Sequence, residues 1–345
     1  MKIRNRIIPI FSIIFLSTYI VQAQARDQIR IVGSSTVYPF STSVAEAFGR
    51  KTNYKTPVVE STGTGGGFKL FCAGNSLSTP DINNASRRIK NSEKEKCHKN
   101  NVSLIEIKIG FDGIIIANSK HANPIKFTRR ILYLALSKTV PEGNKNGGKL
   151  IKNPNKKWSD IDPSLPSTKI EVLGPPPTSG TRDAFDELVM EGGCETFPSI
   201  AILKKTNKEK FKNVCQSLRE DGLYIEVGEN DNLTIQKIVI NPNAIGIFGY
   251  SYLDQNEDKI RGNSVDGYFP TFENISKGSY PVSRPLYFYV KQSHVKSIFG
   301  MKDYILEFLN EQEIGDDGYL VDKGLIPLPK KERDSQRKYI LKEIN

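Results

Sequence analysis

Three short segments hold most of the side chains that could do chemistry. Gly33-Ser34-Ser35-Thr36, Ser61-Thr62-Gly63-Thr64-Gly65-Gly66-Gly67 and Thr178-Ser179-Gly180-Thr181-Arg182 each set hydroxyls beside glycines. A fourth, Asp81 to Arg88, adds the hydroxyl of Ser86 and the guanidinium groups of Arg87 and Arg88. The chemistry that suits such segments is anion capture. The first turn of a helix has unpaired N–H groups, and its dipole favours a bound oxyanion. Glycine lets the backbone approach closely, and Ser or Thr adds O–H donors. Arg is suited to bidentate contact with an oxyanion. One such loop alone reads more readily as a helix cap. Three of them, converging on one place, read as a site.

Other glycine-rich chemistries fail on particular residues. A dinucleotide fingerprint begun at Gly63 requires glycine where Phe68 stands, and a P-loop requires Gly-Lys-Ser/Thr where Phe68-Lys69-Leu70 stands. A nucleophile elbow, Gly-x-Ser-x-Gly, comes nearest at Gly33 and ends on Val37. His98, His121 and His294 lie far from the three loops in sequence, and no C-x-x-C pair occurs.

The loops need strands and helices to place them. Ile29 to Val32 reads as a strand ending at Gly33, and Val37, Phe40, Val44, Ala47 and Phe48 recur at helical spacing. Pro57 to Val59 is a second short strand. Phe68 to Cys72 opens a second helix. Leu104 to Ile109 alternates with period two, and Gly113 to Ala117 continues as a buried strand. Lys169 to Leu173 is another strand, and a helix follows through Ala184, Phe185, Leu188 and Val189. Strands alternating with helices imply an α/β protein with parallel sheets, whose loops lie at the carboxyl ends of the strands. Two stretches, Asp112 to Ser119 and Ala244 to Leu253, read as crossovers between lobes. They divide the chain into 26–115 with 250–345 as one lobe and 116–249 as the other.

Residues 1–25 read as a secretory signal peptide. Lys2, Arg4 and Arg6 precede a mostly apolar run from Ile7 to Val21, and Ala23-Gln24-Ala25 is a cleavage pattern. The apolar run is short of the ~20 residues a spanning helix needs. A periplasmic protein beginning near Arg26 is expected. The net charge is +11, part of it in the leader. The remaining Lys and Arg are spread along the chain, so no nucleic-acid partner is expected. The densest run, Lys330 to Lys342, reads as a solvated tail. An even count of four cysteines in an exported chain implies two disulfides, and Cys72–Cys97 with Cys194–Cys215 closes the shortest loops.

In order along the chain, Gly33-Ser34-Ser35-Thr36-Val37-Tyr38-Pro39, Thr64-Gly65-Gly66-Gly67-Phe68, Asn84-Ala85-Ser86-Arg87 and Thr178-Ser179-Gly180-Thr181-Arg182 resemble the PstS-type phosphate-binding proteins of ABC transporters. The resemblance covers most of the chain beyond the leader. It implies a two-lobed periplasmic-binding fold of type II-like form, with parallel-rich sheets flanked by helices and two crossover strands. It also implies a receptor without catalytic activity, cofactor or metal, which hands inorganic phosphate to permease subunits in the inner membrane. A monomer is expected. By position, the first loop contributes Ser35, Thr36 and the backbone N–H of Val37, and the second contributes Thr64. The fourth segment contributes Ser86 and Arg87, and the third loop Ser179, Gly180, Thr181 and Arg182. Two departures stand out. Well-known members of the family carry an aspartate where this chain has Arg87, and an arginine where it has Pro175. Arg87 and Arg182 are therefore expected to supply the positive charge. Without that aspartate to accept a phosphate proton, weaker rejection of sulfate is expected. The competing readings are a receptor for another oxyanion such as sulfate, an exported phosphatase, and a surface protein that binds polyanions.

Overall fold

The computed structural model describes residues 26–228 and 231–344; the leader expected over 1–25 lies outside them. Its backbone is a nine-stranded mixed sheet. The strands are β1 (Arg30–Gly33), β2 (Val58–Ser61), β3 (Ile82–Ala85), β4 (Leu104–Ser119), β5 (Val172–Gly174), β6 (Tyr224–Glu226), β7 (Ile245–Gly249), β8 (Ile260–Gly262) and β9 (Ser283–Lys291). They run in the order β2-β1-β3-β9-β4-β7-β5-β6, with β8 paired to the far end of β4. Two short ribbons, Ser264–Val265 with Lys126–Phe127 and Thr139–Pro141 with Leu150–Lys152, stand outside it.

Strand β4 joins the two halves of this sheet, and its sequence explains how. Ile105, Ile107 and Ile109 alternate with polar residues and are buried on one face. From Ile114 to Ala117 every residue is buried, as in a strand covered on both sides. The first part pairs with β9, the second with β7 and β8. A bulge interrupts the β4–β9 register between Leu286 and Tyr287, opposite Gly110 and Lys108. Bulges bend a strand and strengthen its twist, so the two halves of the sheet turn away from each other there.

Each half has its own core. One cluster gathers Ile31, Val37, Phe48, Ile107, Phe288 and Tyr304; the larger one gathers Ile115, Tyr133, Trp158, Phe185, Phe248 and Tyr280. A smaller cluster, including Phe68, Phe71, Ile89 and Tyr289, covers the opposite face of the first half-sheet. The result is the expected two-lobed α/β architecture. No helix among the described residues is long and apolar enough to cross a membrane.

Both expected disulfides are present, Cys72–Cys97 and Cys194–Cys215, closing loops of 25 and 21 residues. Loops of that size are worth about 3 kcal/mol each through restriction of the unfolded chain. Two local expectations are corrected. The second helix, α2 (Thr64–Phe71), begins four residues before Phe68, so Gly65, Gly66 and Gly67 lie inside its first turns. Gly67 is there because α2 packs directly on the sheet: a Cβ would stand 1.9 Å from Asn83 Oδ1 and 2.7 Å from Gly33 Cα. The run after Pro329 is not a solvated tail but a helix, Lys330–Glu343, docked on the first lobe. Ile340 is buried, Gln336 bonds both polar groups of the Lys108 backbone, and buried Arg333 pairs with Glu311 and Asp316.

Candidate functional site

Parallel pairing brings the first-lobe loops to a single edge. Gly33 is in register with Ser61 on one side and Asn84 on the other, so β1, β2 and β3 end together. The Ser34 N–H donates to Asn84 O at 3.0 Å, and the Thr62 N–H to Gly33 O at 2.9 Å. Gly33 makes this possible, with φ +126° and no room for a Cβ, which would stand 2.2 Å from Asn84 O. Ser35 and Thr36 then lead into α1 (Tyr38–Lys51). The side chain of Val37 is fully buried in the first-lobe core, which leaves only its backbone to serve a ligand.

In the second lobe, β5 ends at Gly174 and a proline-rich turn leads to Ser179. Ser179 caps α3 (Gly180–Phe185), its Oγ accepting from the Thr181 N–H at 3.2 Å. The two lobes meet at this loop. A Cβ on Gly180 would lie 3.7 Å from Ser35 O and 3.8 Å from Thr36 Cα. Ser35, Thr36 and Ser61 from one lobe and Thr178, Ser179, Gly180 and Thr181 from the other line a single cavity of about 490 Å³. Asp112, Asp183, Asp231, Tyr252 and Lys323 complete much of its wall.

Asp183 directly follows the third loop, but other charges at or beside this cavity come from strands far from the loops in sequence. Arg284, on β9, stands in register with Asp112 on β4. Its Nη2 donates to Thr36 Oγ1 at 2.5 Å, and its Nε lies 3.4 Å from Asp112 Oδ2. Both side chains are largely buried, 8% and 13% exposed. Burial pushes the Asp112 carboxyl up, Arg284 opposes this, and the nearby charge of Glu187 adds to it. Asp231 is pushed up to about 6 by burial, with one opposing bond from the Gly249 N–H at 3.3 Å.

The remaining expected residues sit elsewhere. Thr64 and Ser86 pair with each other: Thr64 Oγ1 accepts the Ser86 N–H at 3.2 Å and lies 3.2 Å from its Oγ. Arg87 makes a bidentate pair with Glu93, at 2.7 and 2.9 Å, beside the first turn of α2. Burial raises the Glu93 carboxyl, but the bonds from Arg87 and the Lys90 N–H outweigh it, and the net shift is downward. Arg88 pairs with Glu106. Arg182 is held inside the second lobe by both oxygens of Asp186, at 3.0 and 3.1 Å, by Glu226 at 3.5 Å, and over the ring of Tyr224. Thr64, Ser86, Arg87 and Arg182 are not among the residues lining the cavity.

Asp112 and Arg284 are the residues that sequence reasoning missed. Each left a sign. Asp112 is a lone charge in the apolar run Ile109-Gly110-Phe111-Asp112-Gly113-Ile114-Ile115, and Arg284 opens the run Pro285 to Val290. Charged residues are rarely buried without a partner, so two such interruptions in buried strands point to each other.

A family model described as the PBP superfamily domain matches residues 21–312. Protein SphX of Synechococcus elongatus is 31% identical over 305 residues, covering 87% of this chain and 77% of that protein. Phosphate-binding protein PstS of Staphylococcus haemolyticus is 31% identical over 281 residues, covering 79% of this chain and 73% of that protein. The crystal structure of a possible phosphate binding protein from Planctomyces limnophilus matches with a TM-score of 0.72 at 25% identity, over 93% of this chain and 99% of that one. An ABC-type phosphate transport receptor from Vibrio cholerae matches in fold, with a TM-score of 0.56 at 20% identity over 88% of this chain and 100% of that one.

Proposed function

The chain belongs to the PBP superfamily and, within it, to the PstS-type phosphate-binding proteins, and on that premise we propose that it captures inorganic phosphate between its lobes and delivers it to an ABC permease. The observation that carries this reading is the convergence of Ser35–Thr36 and Ser179–Thr181 on one cavity beside the Arg284–Asp112 pair. The hydroxyls and the N–H groups of the two loops are the donors, and Arg284 is the cation that balances the anion. Asp112 is the acceptor. Burial makes its carboxylate a stronger base, suited to take a bond from a phosphate proton. Sulfate at neutral pH has no proton to offer and would set an oxygen against the carboxylate, which is rejection by repulsion. The carboxylate absent beside Ser86 is thus replaced from the strand between the lobes, and good rejection of sulfate follows. Arg87 would have to leave Glu93 to reach the anion, and Arg182 would have to leave Asp186; both act here as supports of their loops.

The same reading makes the protein a receptor without catalytic activity, a monomer, exported by residues 1–25 and working in the periplasm beside an inner-membrane permease. It places the outward crossing on β4. The return falls on β9, since Val282 belongs to the larger core and Leu286 to the first-lobe core. Leu253, Ile260, Val265 and Ile275 pack with the second lobe, which favours this return over one at 244–253.

Calorimetry of the protein lacking residues 1–25, with phosphate, arsenate and sulfate, tests the proposal. Phosphate and arsenate should bind tightly, and sulfate at least tenfold more weakly. Equal affinity for sulfate would remove Asp112 as the acceptor, and silence with all three anions would end the reading.

A further inference from the structure

Arg284 makes a third contact, and it crosses the cleft. Its Nη1 donates to Glu187 Oε2, from the second lobe. Glu187 stands in a single π turn, Asp186–Met190, set between α3 and the short helix α4 (Glu191–Cys194). Together these form one helical stretch that begins at the Ser179 cap. A π turn within an α-helix is uncommon and is often found at functional sites. Here it gives the two neighbouring acids different partners. Asp186 reaches back to Arg182 within its own lobe, and Glu187 reaches out to Arg284.

One guanidinium therefore gathers three parts of the molecule: Asp112 on the crossing strand, Thr36 in the first-lobe loop, and Glu187 on the helix behind the second-lobe loop. The Glu187 side chain is 51% exposed and stands at the rim, while that of Arg284 is 8% exposed. Glu187 is not among the residues lining the anion cavity. If the lobes separate, the helix carrying Glu187 leaves with Ser179, whereas Arg284 stays with Asp112 on its paired strand.

We propose that Glu187 is a positioning residue, an interlobe latch that grips Arg284 only in the closed form and so retains phosphate without touching it. This rests on the phosphate reading of the cleft. The latch also fixes which way the guanidinium faces: with Nη1 held by Glu187, Nη2 is directed to Thr36, whose side of the loop lines the cavity. The opposite effect, repulsion between the Glu187 carboxylate and a bound dianion, is weakened by the water that reaches Glu187 at the rim.

Glu187→Gln in the exported protein separates these effects, because it keeps the shape and removes the charge. A half-exposed ion pair implies a modest change, so phosphate should dissociate about three- to tenfold faster. The association rate should hold, and so should the melting temperature of the ligand-free protein. Added salt should speed dissociation from the wild type more than from the variant. Small-angle scattering of the ligand-free variant should give a larger radius of gyration than the wild type. Unchanged or slower dissociation from the variant overturns the latch. If the wild type binds no phosphate, the functional reading fails by itself, and scattering alone decides the latch: a more open variant upholds it, and superimposable profiles overturn it.

Discussion

At the first-lobe edge three parallel strands end side by side, and the loops that leave them are bonded to one another: Ser34 to Asn84, Thr62 to Gly33, Thr64 to Ser86. At the second-lobe edge a single loop, Thr178 to Thr181, caps its own helix through Ser179. Both edges carry an arginine next to the loop in sequence, and at both that arginine is neutralised locally, Arg87 by Glu93 and Arg182 by Asp186 and Glu226. Lys323 lines the cavity, and the guanidinium that meets its Thr36 and Asp112 comes from neither edge. It is Arg284, on β9, a strand paired with β4, 248 residues from the Thr36 hydroxyl it meets. A basic residue beside an anion loop tends to be bound by the acids that keep the empty loop folded. Arg284 instead contacts residues of both lobes, Thr36 and Glu187.

The sharpest way to break this comparison is to remove the three arginines one at a time. Arg284→Ala leaves Asp112 without its counter-charge and the anion without its cation. Loss of a buried partner of this kind costs about 3 kcal/mol or more, so phosphate affinity should fall at least about a hundredfold. Arg87→Ala and Arg182→Ala should change affinity by less than about tenfold and lower the melting temperature instead. Titration calorimetry with thermal melts of all three variants gives the ranking. If Arg87→Ala has the largest effect on binding, Glu93 releases it in the bound state and the two edges are not equivalent.

This ranking also marks what was legible in the sequence. The three loops, the two lobes and both disulfides follow from local signals: glycine beside hydroxyls, strand and helix periods, and cysteines a short loop apart. The buried half of β4 follows from its unbroken apolar run. The partners of Arg284 do not follow, because they are set by β-pairing and helix packing between distant segments, and the Arg87–Glu93 pair, though only six residues apart, depends on how the chain turns into the helix that carries Glu93. The Lys330–Glu343 helix was missed for a related reason. It docks through Arg333 and Gln336 as well as Ile340, so it has no apolar stripe to announce it.

Asp231 offers a contrast within the cavity wall, since among the described residues no cation is paired with it. Its carboxyl is pushed up to about 6 from 3.8. Below pH 3.8 it is protonated both folded and unfolded, and it contributes nothing to the pH dependence. Between about pH 4 and 6 the unfolded chain ionises first, so stability falls as pH rises, and above about 6 the loss is complete. Asp231→Asn keeps an oxygen for the Gly249 N–H and removes the ionisation. It should be more stable than the wild type by about 1–3 kcal/mol at pH 7 and equal to it near pH 3. Chemical denaturation across this range checks the sign. Parallel curves for the two proteins would mean that Asp231 ionises as freely folded as unfolded.

The smallest effects separate the two edges most cleanly. Ser179 has two tasks on one oxygen: its lone pair accepts the Thr181 N–H, and its proton is available to an anion in the cavity. Ser179→Ala should weaken phosphate binding about tenfold, as for a bond to a charged partner, and should also cost about 1 kcal/mol of stability through the lost cap. Thr64 faces Ser86 rather than the cavity. Thr64→Ala should therefore cost about 1 kcal/mol of stability and leave affinity within about twofold. Ser179→Asp divides the two tasks, because a carboxylate caps a helix as well as a hydroxyl does but gives an anion no proton and adds repulsion. It should melt at or above the wild-type temperature and bind phosphate more weakly than Ser179→Ala. Equal losses of affinity in Thr64→Ala and Ser179→Ala would mean that the second loop reaches the anion after all, and that the first-lobe edge acts as one continuous surface.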